Sequence, residues 1–190
     1  GDAVHSKMQV LKRNGQLEEV NLNKIVKAVE RCSTGLDNID PMRVAIKTVS
    51  GVADGMSTIE LDTLSIRTAA SLITEEPSYS KLAARLLSAY IDKEVRNQGI
   101  QSFSQSVKTG ADLGLIADTT RDFVLANARK LDDAIRIDAD MNYEFFGLRT
   151  VYDRYLLKNP TSRKVFETPQ YFKLRVACGL SQTPDEAIEL

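Results

Sequence analysis

The sequence predicts a mainly α chain in which a short N-terminal β-hairpin lies over four helices and a further helical region follows. Three features carry this expectation. Asn14-Gly15 stands between two short apolar runs, a strong hairpin signal because both residues tolerate positive φ. From residue 22 onward, apolar residues recur at three- and four-residue spacing, the period of an amphipathic helix. Cap and proline signals then mark one helix opening after another. With 190 residues, 43% of them hydrophobic and 27% charged, the chain suits one well-buried domain or two small ones.

The elements follow in order. Gly1 to Lys7 is polar and reads as a loose tail or cloning remnant. Met8-Gln9-Val10-Leu11-Lys12 and Leu17-Glu18-Glu19-Val20 are the hairpin strands. A lone hairpin is marginal in water, so it must lie on something. Asn21 caps a first helix carrying Leu22, Ile25, Val26, Val29 and Cys32, stopped at Gly35. Asp40-Pro41 opens a second, with Val44, Ile46, Val49 and Val52 running on to Gly55. Ser57-Thr58-Ile59-Glu60 is a capping-box pattern for a third, through Leu61, Leu64, Ala69, Leu72 and Ile73. Pro77-Ser78 starts the fourth and longest, whose apolar stripe is Leu82, Ala83, Leu86, Leu87, Tyr90, Ile91 and Val95, ending at Asn97-Gln98-Gly99.

Residues 100–107 turn polar and read as a linker or a weak helix start. One helix is expected near 119–135 and an aromatic-rich one near 143–157. A turn at Asn159-Pro160-Thr161-Ser162 leads to helices opened by Thr168-Pro169 and Thr183-Pro184-Asp185-Glu186. The chain stops within the first turns of that last helix, which reads as a piece of a longer polypeptide.

Composition excludes several function classes. Twenty-five Lys+Arg against 26 Asp+Glu leave a net charge of −1, so no global footprint for nucleic acid or an anionic membrane exists. No apolar run approaches the roughly eighteen residues of a membrane span, and no signal peptide is evident. Cys32, Cys178 and the single histidine, His5, cannot build a Cys/His metal site. The expected compartment is the reducing cytoplasm, with both thiols free. His5 lies in the tail, so Ser/His/Asp or Cys/His catalysis is not expected and no catalytic residue is assigned. Cys178 sits on an apolar stretch and should pack as a small hydrophobe. The pairs Asp132-Asp133 and Asp138-Asp140 are expected to face water rather than bind metal. No Walker-type loop or GxGxxG occurs.

The candidate binding residues form a basic cluster. Lys12-Arg13 flank the Asn-Gly turn and Lys24 stands in the first turn of the following helix, whose free N–H groups also favour anions. Phosphate suits such a cluster; a solvated edge strand is the plain alternative. Thr58 and Asp62, at i and i+4, share a helix face, where Thr58 caps and Asp62 could accept from a sugar hydroxyl. A capping threonine beside a dipole-favoured aspartate is the plain alternative, which needs no ligand and on spacing alone is the simpler account. Lys93 lies on the polar side of the longest helix near its C-terminus, where lysine is favoured anyway.

Val10-Leu11-Lys12-Arg13-Asn14-Gly15, Glu18-Glu19-Val20-Asn21 and Lys24-Ile25 resemble the opening of an ATP cone. Ser57 to Leu64, then Leu82-Ala83-Ala84-Arg85 with Lys93, resemble its later motifs in order. Asp138 to Gly147, Tyr155-Leu156-Leu157-Lys158, and Glu167-Thr168-Pro169-Gln170 followed by Leu174-Arg175-Val176 resemble the large (α) subunit of class I ribonucleotide reductase. The resemblance implies a cone over residues 8–99 and, over 100–190, the truncated start of the reductase's helical N-terminal domain.

It implies an overall-activity site where ATP activates and dATP inhibits reduction of ribonucleoside diphosphates to deoxyribonucleotides for DNA synthesis. Magnesium would accompany the nucleotide, with no metal bound by protein side chains. Lys12, Arg13, Lys24 and Lys93 match the family's phosphate-binding positions. Glu18, Glu19, Val20, Asn21, Leu22, Asn23 and Lys24 match the segment around base and sugar. Thr58 matches a further contact, and Asp62 follows the aspartate type at a position where other members carry histidine. The implied partners are the radical-bearing small subunit and further large subunits, without nucleic acid or membrane. The catalytic cysteines would lie beyond Leu190, so these residues alone should reduce nothing. The alternative is an ATP-cone regulator of the transcriptional-repressor type.

Overall fold

The computed structural model describes residues 9–11, 17–19, 21–136 and 142–190. Described residues fall into two compact units, Gly1–Tyr90 with Tyr143–Phe146, and Ile91–Asn142 with Gly147–Leu190. The elements are mostly helices, as the apolar periodicity predicts.

In the first unit, β1 (Gln9–Leu11) pairs antiparallel with β2 (Leu17–Glu19), Val10 opposite Glu18. The Asn14-Gly15 turn itself lies outside the described residues. α1 (Leu22–Ser33) begins where Asn21 Oδ1 accepts from the Lys24 N–H, and Gly35 takes the left-handed conformation just past its end. α2 (Pro41–Ser50) is capped by Asp40 Oδ1, which accepts from the Met42 and Arg43 N–H groups. β3 (Met56–Ser57) is an addition to the expected hairpin. It pairs parallel with β1, Leu11 opposite Ser57, and makes β1 the centre of a three-stranded sheet ordered β2-β1-β3.

α3 (Thr58–Ser71) opens with a complete capping box: Ser57 Oγ accepts from the Glu60 N–H, and Glu60 Oε2 accepts from the Ser57 N–H. Ser57 is therefore the cap, and Thr58, expected to cap, is the first helical residue. α4 (Tyr79–Arg96) carries Leu82, Ala83, Leu86, Leu87, Ile91 and Val95 buried, as its stripe predicts. Val29 of α1, Val44 and Ala45 of α2, and Ile66 and Ala69 of α3 are buried in this unit. Arg85 of α4 donates from Nη1 to the carbonyls of Cys32 and Thr34 at the end of α1, where the last helix carbonyls have no intrahelical N–H to accept from.

In the second unit the helix-start reading of residues 100–107 holds and the linker reading does not: α5 (Phe103–Asp112) buries Phe103, Ser104, Ser106 and Val107. Its serines can enter the interior because each finds an acceptor. Ser104 gives its N–H and hydroxyl to the Asp132 carboxylate at 2.8 and 2.6 Å, and Ser106 Oγ donates to the Phe166 carbonyl at 2.7 Å. Asp132 is accordingly half-buried and engaged with α5 instead of facing water, whereas Asp133 is exposed. Asp138 and Asp140 lie outside the described residues.

The helix expected near 119–135 is two, α6 (Asp118–Ala126) and α7 (Ala128–Asp133). Asn127 separates them, donating from Nδ2 to the Phe123 carbonyl and from its main-chain N–H to the Val124 carbonyl. α8 (Phe145–Arg154) contributes Gly147 to Arg154 to this unit. Past it, an isolated Lys158–Val165 bridge frames the Asn159-Pro160 turn, with Arg163 at φ 66. α9 (Pro169–Leu180) and α10 (Pro184–Glu189) are capped by Thr168 and Thr183.

Phe103, Val107, Ala111, Ile116, Val124, Leu131, Leu174, Ala177, Cys178 and Ala187 form the core. Gly110 marks its tightest approach. A Cβ there would stand 2.4 Å from Ile116 Cδ1, 2.8 Å from Ile116 Cγ1 and 3.1 Å from Phe166 Cε2. Gly110→Ala should therefore lower stability by about 1–2 kcal/mol in urea unfolding, because overpacking outweighs the better helix propensity of alanine. A stability equal to or above wild type would show that Ile116 yields freely.

Candidate functional site

The expected binding residues fall at two helix starts in the first unit. Asn21, Asn23 and Lys24 are exposed in and before the first turn of α1, which contains no acidic residue. Thr58 and Asp62 stand one turn apart at the start of α3 and are half-buried. A small apolar cluster joins the two starts. Leu22 and Ile25 of α1, with Leu61 and Leu64 of α3, pack against Val52, which is 6% exposed. Leu22 is thus a half-buried packing residue, and its neighbours in sequence are the ones presented to solvent.

The strand side is held through both main-chain polar groups of Gln9. The Gln9 N–H donates to Asp54 Oδ1 at 2.9 Å, and the Gly55 N–H donates to the Gln9 carbonyl at 2.9 Å. Glu18 and Glu19 occupy β2, opposite Val10 and Gln9. Lys12, Arg13 and Val20 lie outside the described residues. Lys93 is exposed in the last turn of α4 and belongs to the second unit. The expected set is therefore brought together at Asn21 to Lys24, Thr58 and Asp62, and Lys93 is described apart from it. Asp54 and Gly55 were not among the expected residues, although Asp-Gly ahead of a capping box is a turn signal that points to them.

A lysine in a first turn free of carboxylates, where helix N–H groups converge, suits an anion. Thr58 and Asp62 supply a hydroxyl and a carboxylate on an adjacent helix face, groups that hydrogen-bond hydroxyls or amines. Nucleophilic chemistry has little to work with among the described residues. Burial pushes the Cys178 thiol up to about 11, so at neutral pH it stays a protonated core group. Burial also raises the Cys32 thiol, against the opposing pull of Arg31 and Arg85. No group of three or more His, Cys, Asp or Glu among the described residues could hold a metal ion, and none of their helices is long and apolar enough to cross a membrane.

Comparison with known proteins fits this layout. Residues 8–94 match the ATP cone domain, and residues 141–190 match the ribonucleotide reductase all-alpha domain. The ribonucleoside-diphosphate reductase large subunit of Caenorhabditis elegans is 37% identical over 182 residues, covering 90% of this chain and 22% of its own length. The large chain of Schizosaccharomyces pombe is 38% identical over 187 residues, 95% of this chain and 23% of its own. The monkeypox virus large subunit is 36% identical over 190 residues, 96% of this chain and 24% of its own.

The chain belongs to the ribonucleotide reductase large-subunit family.

It spans between a fifth and a quarter of the length of these ribonucleotide reductase relatives. The match to the reductase's regulatory ATP cone takes in most of its first unit, and the match to the reductase all-alpha domain after it disfavours the transcriptional-repressor alternative. The reductase motif Glu167-Thr168-Pro169-Gln170 has a structural account at every position. Glu167 pairs with Arg175, Thr168 caps α9 and Pro169 fills its first helical position. The Gln170 carboxamide exchanges hydrogen bonds with both main-chain groups of Arg136.

Proposed function

We propose that this chain is the effector-sensing part of a ribonucleoside-diphosphate reductase, binding ATP as activator and dATP as inhibitor. The cone is taken as residues 8–99, and residues 100–190 as the start of the reductase's helical domain. The observation that carries the reading is the coincidence of the ATP cone match with the α1 and α3 starts joined around Val52. Lys12, Arg13, Lys24 and Lys93 would hold the triphosphate, with magnesium neutralising part of its charge. Glu18 to Asn23, Thr58 and Asp62 would surround base and sugar. Reduction of ribonucleotides would be performed elsewhere in the full-length enzyme, in the cytoplasm, with a radical-bearing small subunit and other large subunits as partners.

Titration with ATP and dATP tests this. A ligand bound only by the folded state stabilises it by about 2.7 kcal/mol at a hundredfold excess over Kd, which raises the melting temperature. No shift at millimolar nucleotide, with the chain folded by circular dichroism, refutes the reading. Lys24→Ala should weaken ATP binding by roughly 1.5–3 kcal/mol if its bond to phosphate is direct, and adenosine binding much less. Salt should weaken wild-type binding, since exposed charges are screened over about 8–10 Å. In the same titrations Asp62→Asn should change the ATP-to-dATP preference more than it changes overall affinity. Wild-type affinity in Lys24→Ala removes the phosphate assignment; equal weakening of both nucleotides in Asp62→Asn removes the sugar assignment.

A further inference from the structure

We propose that Asp54 is a positioning residue for the phosphate-binding strand, acting through the main chain of Gln9. The proposal rests on the reading of Lys12 and Arg13 as phosphate ligands. Asp54 has no place in the fold that its own packing would explain, because it is exposed. Its carboxylate nevertheless accepts the Gln9 N–H at 2.9 Å across a sequence separation of 45 residues. The next residue completes the grip: the Gly55 N–H donates to the Gln9 carbonyl at 2.9 Å. Both main-chain polar groups of Gln9 are thereby taken by one dipeptide.

Gly55 stands at φ 78, in the left-handed region that glycine adopts without a Cβ penalty, so the turn reaches this shape at little steric cost. The consequence runs along the strand. With Gln9 held, Val10 falls opposite Met56 and Leu11 opposite Ser57, the residue that caps α3. β3 is only two residues long, too short to specify strand position by its own ladder. The Asp54 bond adds a restraint at the start of β1, and Lys12-Arg13 follow Leu11 in the sequence. Asp54 thus helps set where Leu11, the residue before the two cations in sequence, lies opposite Ser57 at the start of α3.

A carboxylate near a polyphosphate would by charge alone oppose binding, which gives the test its sign. ATP and adenosine are titrated into wild type, Asp54→Ala and Asp54→Asn, each variant's melting temperature being measured without ligand. Asp54→Ala should bind ATP roughly five- to tenfold more weakly, the scale of one lost hydrogen bond. Its adenosine affinity should stay within about twofold, because no phosphate is involved. Asp54→Asn should recover ATP affinity, since the carboxamide oxygen still accepts from Gln9. A strut that merely holds the fold would lower ligand-free melting and weaken both ligands alike, and that outcome overturns the proposal. So does tighter ATP binding by both variants, which would make Asp54 a repulsive charge only. If wild type binds no ATP, the nucleotide reading falls and this proposal with it. If wild type binds and Asp54→Ala equals it, the positioning role alone falls.

Discussion

Arg175→Ala should destabilise the second unit by about 3–5 kcal/mol, the cost of leaving a buried charge without its partner. Glu167 is 1% exposed, so its carboxylate has almost no access to water. Arg175 meets it with two bonds, Nε to Oε2 at 2.9 Å and Nη2 to Oε1 at 3.1 Å. The Leu157 N–H adds a third, to Oε1 at 2.9 Å. Removing the guanidinium leaves one backbone donor for a desolvated anion, and it also strips the cation from the face of Phe172, 5.4 Å away. Replacing both partners together by apolar residues of similar size should cost far less, because no buried charge then remains. Urea unfolding of the single and double variants checks both halves of this expectation. A single variant within about 1 kcal/mol of wild type would place the pair among solvent-screened surface bridges.

Phe103→Ala should be comparably severe, losing about 3–5 kcal/mol through lost burial and a residual cavity. Phe103 is 1% exposed in the first turn of α5, its ring edge-on to Tyr171 at 5.9 Å. It belongs to the core that also takes residues from α6, α7, α9 and α10. Phe103→Leu keeps most of the volume and should cost clearly less. The chain has no tryptophan, so near-ultraviolet dichroism of tyrosine, Tyr171 included, is the natural local probe. A loss below about 1 kcal/mol for the alanine variant would mean that the neighbouring side chains collapse into the space.

Local chemistry was the legible part of this sequence. Asn21, Asp40, Ser57, Thr168 and Thr183 all accept the helix N–H groups that their side chains announce. Capping acts across two or three residues, so no tertiary knowledge is needed to read it. α5 was only half legible, between a linker and a weak helix start, for the opposite reason. Ser104 and Ser106 are polar letters whose burial depends on Asp132 and Phe166, 28 and 60 residues further on. β3 is too short to leave a pattern at all. The site divides in the same way. Lys24, Thr58 and Asp62 were readable as residues at helix starts, but their common neighbourhood depends on Val52, a plain apolar residue between two helices.

The order of strands has a consequence for how the chain is made. β1 is the central strand, yet β3 and the Asp54-Gly55 turn that hold one side of it come 45 residues later. Both α1 and α2 intervene, as a parallel pairing requires a long crossover. During synthesis at about 5–20 residues per second, that interval is roughly 2–9 s. For those seconds β1 has no β3 to pair with, and any β1–β2 pair, marginal by itself, leaves the other side of β1 open. An open strand edge is a template for a second chain, so the cone's N-terminus is exposed to mispairing early and closed only when Ser57 arrives.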